Sequence, residues 1–162
     1  MSKLKFSILI AAWITLFSIA AEAQVKTRAT LTLDAARKIA DAAVSEAKKN
    51  NAGGSIAIVD DGGNLIYLVR IDGTFSASAE VAIGKAQTAA HFKKPTSVFE
   101  DVITKGRVTM NTLPAVTPFT PLQGGVPIVY NGEILGAVGV SGSMSAQQDE
   151  QIANAAVQIK FD

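Results

Sequence analysis

The chain carries one histidine, His91, and no cysteine, and these two facts bound its chemistry. Without Cys there are no disulfides, thiolate nucleophiles, zinc-thiolate centres or cysteine-held iron–sulfur clusters. A single imidazole also excludes a metal site built from several His of one chain. Axial ligation of a haem iron stays open, because it takes only one protein imidazole. A lone His is more often an ordinary surface or core side chain, so His91 needs company to mean more.

Lys85, Thr88 and His91 follow one another at offsets of three, which on a helix places them on a common side. Such a face could offer a ligand and a partner for a carboxylate together; the plainer reading is a solvated stripe. Gly124 and Gly125 follow Gln123 and precede a strand-like run, and successive glycine amides can form a concave nest for anionic oxygen, though the same pattern also suits a simple turn. Met110 and Met144 could supply a thioether but read more simply as filler. Asp72 and Lys85 are the groups an isomerase- or lyase-type enzyme would use as base, and a catalytic lysine needs burial or a neighbouring cation to be poised for it.

Other patterns carry less. Asp60 with Asp61, and Asp149 with Glu150, read as turn and capping residues. Gly136, Gly139 and Gly142 recur every three residues, as bulges or close backbone contacts would require, and this spacing is not a dinucleotide fingerprint. No Gly-x-Ser-x-Gly elbow, His-Glu-x-x-His or phosphate loop is present.

These residues must be positioned by a regular sequence of elements. Thr32 is expected to cap a helix of about 18 residues, with Ala36, Ile39, Ala40, Ala43, Val44 and Ala47 as its apolar stripe. Residues 55–60 and 65–71 alternate like strands around Asp61-Gly62-Gly63-Asn64, which predicts a hairpin. A second helix over 76–92 is rich in Ala and ends before Pro95; a short helix over 97–104 follows. Residues 106–125 read as a long loop with an extra strand near 108–113. Strands at 126–130 and 134–141 flank Asn131-Gly132, a strong hairpin signal, and a last helix opens at Ser145 with Gln148 completing a capping box.

The order helix, hairpin, helix, helix, hairpin, helix cannot make a doubly wound parallel sheet, because the strands come in pairs. It predicts an α+β domain, an antiparallel sheet with flanking helices. Residues 24–162 suffice for one domain.

The N-terminus reads as a secretory signal peptide. Lys3 and Lys5 precede an apolar run over 6–20, and Ala21-Glu22-Ala23 is a small-x-small site, so cleavage is expected before Gln24. The apolar run is too short to span a bilayer, for which about 20 residues are needed, so no stable membrane anchor is expected after cleavage. The 15 basic and 14 acidic residues then become 13 and 13, and a neutral chain gives no electrostatic reason to expect nucleic acid as a partner. The expected location is the periplasm or the outside.

Three runs in fixed order extend these readings. They are Ser55-Ile56-Ala57-Ile58-Val59-Asp60-Asp61-Gly62-Gly63-Asn64-Leu65, with Arg70-Ile71-Asp72-Gly73; Ile83-Gly84-Lys85-Ala86-Gln87-Thr88-Ala89-Ala90; and Gln123-Gly124-Gly125-Val126-Pro127-Ile128, continued by residues 136–142 and Asp149-Glu150. Together they resemble the GlcG/HbpS family, over 31–157. The resemblance implies a profilin-like or PAS-like domain that assembles as a homo-oligomer. Some members of the family are exported haem-binding proteins with redox or haem-sensing roles; a related domain ends the cobalamin adenosyltransferase PduO. Many relatives have Asp-x-Gly-Gly-His where this chain has Asn64, and its first helix carries no His, so His91 with Lys85 and Thr88 is the set that can be carried forward. The leading expectation is therefore an exported haem- or tetrapyrrole-binding protein with His91 as iron ligand and lysines near the propionates. The alternatives are a small-carboxylate receptor built on the Gly124 and Gly125 amides, or an isomerase- or lyase-type enzyme.

Overall fold

The computed structural model describes residues 27–160, so the expected signal peptide lies outside the described residues. The elements are α1 (Leu33–Lys49), β1 (Ser55–Asp60), β2 (Leu65–Arg70), α2 (Ser78–Phe92), α3 (Ser97–Thr104), a 3-10 segment (Val108–Ala115), β3 (Gly125–Tyr130), β4 (Glu133–Ser141) and α4 (Ala146–Ala156). The two hairpins lie side by side in one antiparallel sheet of order β2-β1-β4-β3, joined where β1 pairs with β4 from Ser55 opposite Ser141 to Asp60 opposite Gly136.

Strand alternation divides the core in two. Ile56, Ile58, Val138 and Val140 point to the face covered by α1 and α4, where they meet Ile39, Ala43, Ile152 and Ala153. Ala57, Val59 and Ala137 point the other way, onto Ala82, Ala86, Ala89 and Ala90 of α2. These side chains are small, so α2 lies close to the sheet. At Gly139 a β-carbon would collide with Ala82 O and stand 2.6 Å from Ala86 N. The Ala face of α2 and the Gly139 position of β4 are thus packed against each other inside the domain.

Local chemistry fixes the ends. Thr32 Oγ1 accepts from Ala35 N–H at 3.2 Å, and Ser145 Oγ from Gln148 N–H at 3.1 Å. The expected capping box is displaced by one residue, since Gln148 Oε1 accepts from Met144 N–H at 2.9 Å. Helix α2 starts at Ser78 instead of Ser76, because Ser78 Oγ and N–H both bond Phe75 O and make a turn there. It ends on Lys93, left-handed at φ 55°, whose N–H bonds Ala89 O. Asn131 and Gly132 are consecutively left-handed, at φ 49° and 81°, as a two-residue hairpin turn requires.

The extra strand expected at 108–113 is absent; that stretch is 3-10. Its backbone bonds locally, Met110 N–H to Arg107 O at 3.2 Å and Val116 N–H to Leu113 O at 2.9 Å, and Pro114 has no N–H to give to a ladder. The following loop is held by Phe119, which stacks edge-on with Phe92 and Phe99. Among the described residues no helix is long and apolar enough to cross a membrane.

Candidate functional site

Helix α2 carries all three expected ligand-facing residues, and the structure separates them by depth. Lys85 and Thr88 are buried, whereas His91 is exposed near the C-terminal end. Lys85 Nζ donates to Asp149 Oδ2 and to Val140 O, each at 2.9 Å. The other oxygen of Asp149 accepts from Ser143 N–H at 3.0 Å and Ser143 Oγ at 2.6 Å. As the ammonium of an ion pair, Lys85 has no lone pair with which to act as base or nucleophile.

Thr88 Oγ1 donates to Gly84 O at 2.8 Å and accepts from Thr120 N–H at 2.7 Å, tying the loop before β3 to α2. Gly124 packs against the ion pair, a β-carbon there falling 3.1 Å from Lys85 Nζ. The Gly125 amide, expected as an anion donor, is donated at 2.8 Å to Thr96 Oγ1, and Gly125 O accepts from Thr96 N–H at 2.9 Å. Lys85, Gly124 and Asp149 therefore meet in the interior. Asp149 sits in the first turn of α4 as expected, but its second role as partner of Lys85 had no local signal, because the helix dipole already accounts for an acid there.

His91 faces the β1–β2 turn. Its Nε2 lies 2.9 Å from Gly62 O, and because a carbonyl can only accept, Nε2 carries a proton; in the neutral ring the lone pair is therefore on Nδ1. Gln87 Nε2 bonds Gly63 O at 3.2 Å beside it. The turn is shaped by Asp60 Oδ1, which accepts from Gly62 N–H at 2.9 Å and Asn64 N–H at 2.8 Å. Burial pushes the Asp60 carboxyl up, but the hydrogen bonds from Asn64, Gly62 and Gly63 together outweigh it and hold it below the ordinary carboxylate value.

An apolar shelf runs from this turn along the edge of the sheet. Leu65 is paired with Val59 and Leu68 with Ala57, so both stand on the α2 side of the sheet, yet they are 46% and 37% exposed. Edge strand β2 extends past the helix, and Arg70, opposite Ser55, is exposed on the same face with no ion-pair partner among the described residues. Sequence periodicity could not single out this shelf, since it arises from where α2 lies. Among the described residues there is no group of three His, Asp or Glu able to hold a metal ion, so a metal here would need further ligands from its own cofactor.

The family model described as haem degrading protein HbpS-like matches residues 31–158. GlcG of Escherichia coli (strain K12) is 42% identical over 116 residues, 72% of this chain and 84% of that protein. Among solved structures, a double mutant of HbpS from Streptomyces reticuli is 34% identical over 83% of this chain and 90% of its own, with a TM-score of 0.75. PduOC in complex with haem is 26% identical over 80% of this chain and 94% of its own, with a TM-score of 0.72. The antiparallel α+β fold and the ordered motifs agree with these relatives, and the chain belongs to the HbpS-like family.

Proposed function

We propose that this protein is an exported haem- or tetrapyrrole-binding protein in which His91 would hold the iron. The observation that carries this reading is an exposed imidazole whose Nε2 is engaged by Gly62 O, which leaves Nδ1 as the nitrogen that neutral imidazole can offer to iron. Leu65 and Leu68, exposed on the α2 side of the sheet, offer apolar surface to a macrocycle, and Lys94, three residues after His91, is an exposed cation suited to a propionate. Family membership and the haem complex of PduOC support the same choice.

When bound, haem would supply an iron centre for redox or haem-sensing chemistry. This chain's part would be to hold the iron through His91, whose ring is oriented by the Nε2–Gly62 O hydrogen bond, with Leu65 and Leu68 as apolar surface. Lys85 and Thr88 act behind it, fixing α2 against α4 and the loop that carries Thr120. On this reading the protein leaves the cytoplasm by the Met1–Ala23 signal, works in the periplasm or outside, and forms homo-oligomers.

The test is a haemin titration followed by absorbance. A saturable Soret shift that His91→Ala removes and Leu68→Glu weakens is expected; absence of any saturable shift overturns the reading. A purified protein beginning at Gln24 in the exported fraction would establish the signal cleavage.

A further inference from the structure

A separate cleft of about 400 Å3 opens where the two hairpin turns meet the end of α2 and residues 27–29. Its volume lies near the lower end of the roughly 300–1,000 Å3 usual for small-ligand sites. Four charges line it, Arg28, Asp61, Lys93 and Glu133. Arg28 and Asp61 form an ion pair and cancel each other. Lys93 and Glu133 have no ion-pair partner among the described residues, so the cleft holds one unspent ammonium and one unspent carboxylate.

Backbone geometry places both. Lys93 is the left-handed cap of α2, and Glu133 opens β4 opposite Tyr130. Half-buried Ile134 adds a small apolar surface to the lining, and Ala90, 1% exposed, backs it from the core. A ligand with one charge would satisfy one of the two side chains and lie close to a like charge on the other. A ligand with both charges satisfies both.

We propose that this cleft is a binding site for a small zwitterion of the α-amino-acid class, its carboxylate on Lys93, its ammonium on Glu133 and a short apolar side chain against Ile134. The cleft borders the His91–Gly62 contact through Ala90 and Asp61, but neither His91 nor Gly62 lines it.

The test is saturation-transfer NMR on the purified protein with L-alanine, L-serine and L-valine, against propionate and ethylamine as singly charged counterparts. Saturable binding of at least one amino acid, with neither counterpart binding comparably, is expected. Lys93→Ala and Glu133→Gln should each weaken it about tenfold or more, as loss of a charge-assisted contact does; both side chains are exposed, and circular dichroism checks that the variants fold. No saturable binding by any amino acid overturns the proposal. Equal binding of propionate overturns the zwitterion class, and binding unchanged in both variants overturns the location.

Discussion

Lys85 Nζ lies 2.9 Å from Asp149 Oδ2, with 3% and 8% of the two side chains exposed, so an ion pair in the interior fastens α2 to the first turn of α4. Each charge has lost its water and depends on the other, with Val140 O and Ser143 completing the set. Removing one partner leaves the other buried and unpaired. Lys85→Ala and Asp149→Ala are each expected to destabilise the protein by about 3–5 kcal/mol in urea unfolding, whereas Lys85→Met with Asp149→Leu costs less than either single change. A double variant no more stable than the singles would count against the pair as the origin of the loss.

The close seat of α2 rests on Gly139, where a β-carbon would run into the backbone of Ala82 and Ala86. Backbone cannot turn aside as a side chain can. Gly139→Ala should cost at least the upper part of the ~1–3 kcal/mol typical of overpacking. Gly73→Ala is the control. It has open space around it and a φ of 80°, so it should cost only the ~1–2 kcal/mol of left-handed strain. Equal losses at the two positions would show that contact with α2 is not what Gly139 protects.

Much of this arrangement was legible in the chain itself. Thr32, Ser145, Asn131-Gly132 and Asp61-Gly62-Gly63 marked their caps and turns, because each acts through bonds to residues no more than a few places away. Elements separated in sequence were not legible in the same way. Lys85 meets Asp149 across 64 positions, and Leu68 is exposed only because α2 stops short of β2. The stretch 108–113 had strand-like residues, but local 3-10 bonds took its amides, with Pro114 behind it unable to donate to a ladder. Of the expected ligand-facing set, spacing placed Lys85, Thr88 and His91 on one helix, while the fold decided that His91 alone of the three reaches solvent.

Asp60 links the β1–β2 turn to pH. Its folded-state carboxyl lies below the ordinary value, so the ionised form is favoured by folding. That stabilisation is fully present above the unfolded value of about 3.9 and is lost as pH falls through the lower folded value. Asp60→Asn should be less stable than the parent at pH 7, and the gap should close below about pH 4 in matched urea titrations. A gap that does not change with pH would mean that the turn needs the side chain's shape and not its charge.

Thr88 offers the sharpest separation of local from global effects. Its hydroxyl accepts the Thr120 amide at 2.7 Å, and Thr88→Val keeps the shape while leaving that half-buried N–H without an acceptor. An unsatisfied amide costs about 1–3 kcal/mol, unless the loop can move to find water. The loop has other anchors in Phe119 and in Gln123, whose amide bonds Glu100 Oε2 at 2.5 Å, so it should loosen without detaching. Hydrogen exchange is therefore expected to quicken over 117–122 in Thr88→Val while β1 and β4 keep their protection. Faster exchange across the whole sheet would instead place Thr88 among the residues that hold the fold itself, and unchanged exchange in the loop would mean that its remaining anchors suffice.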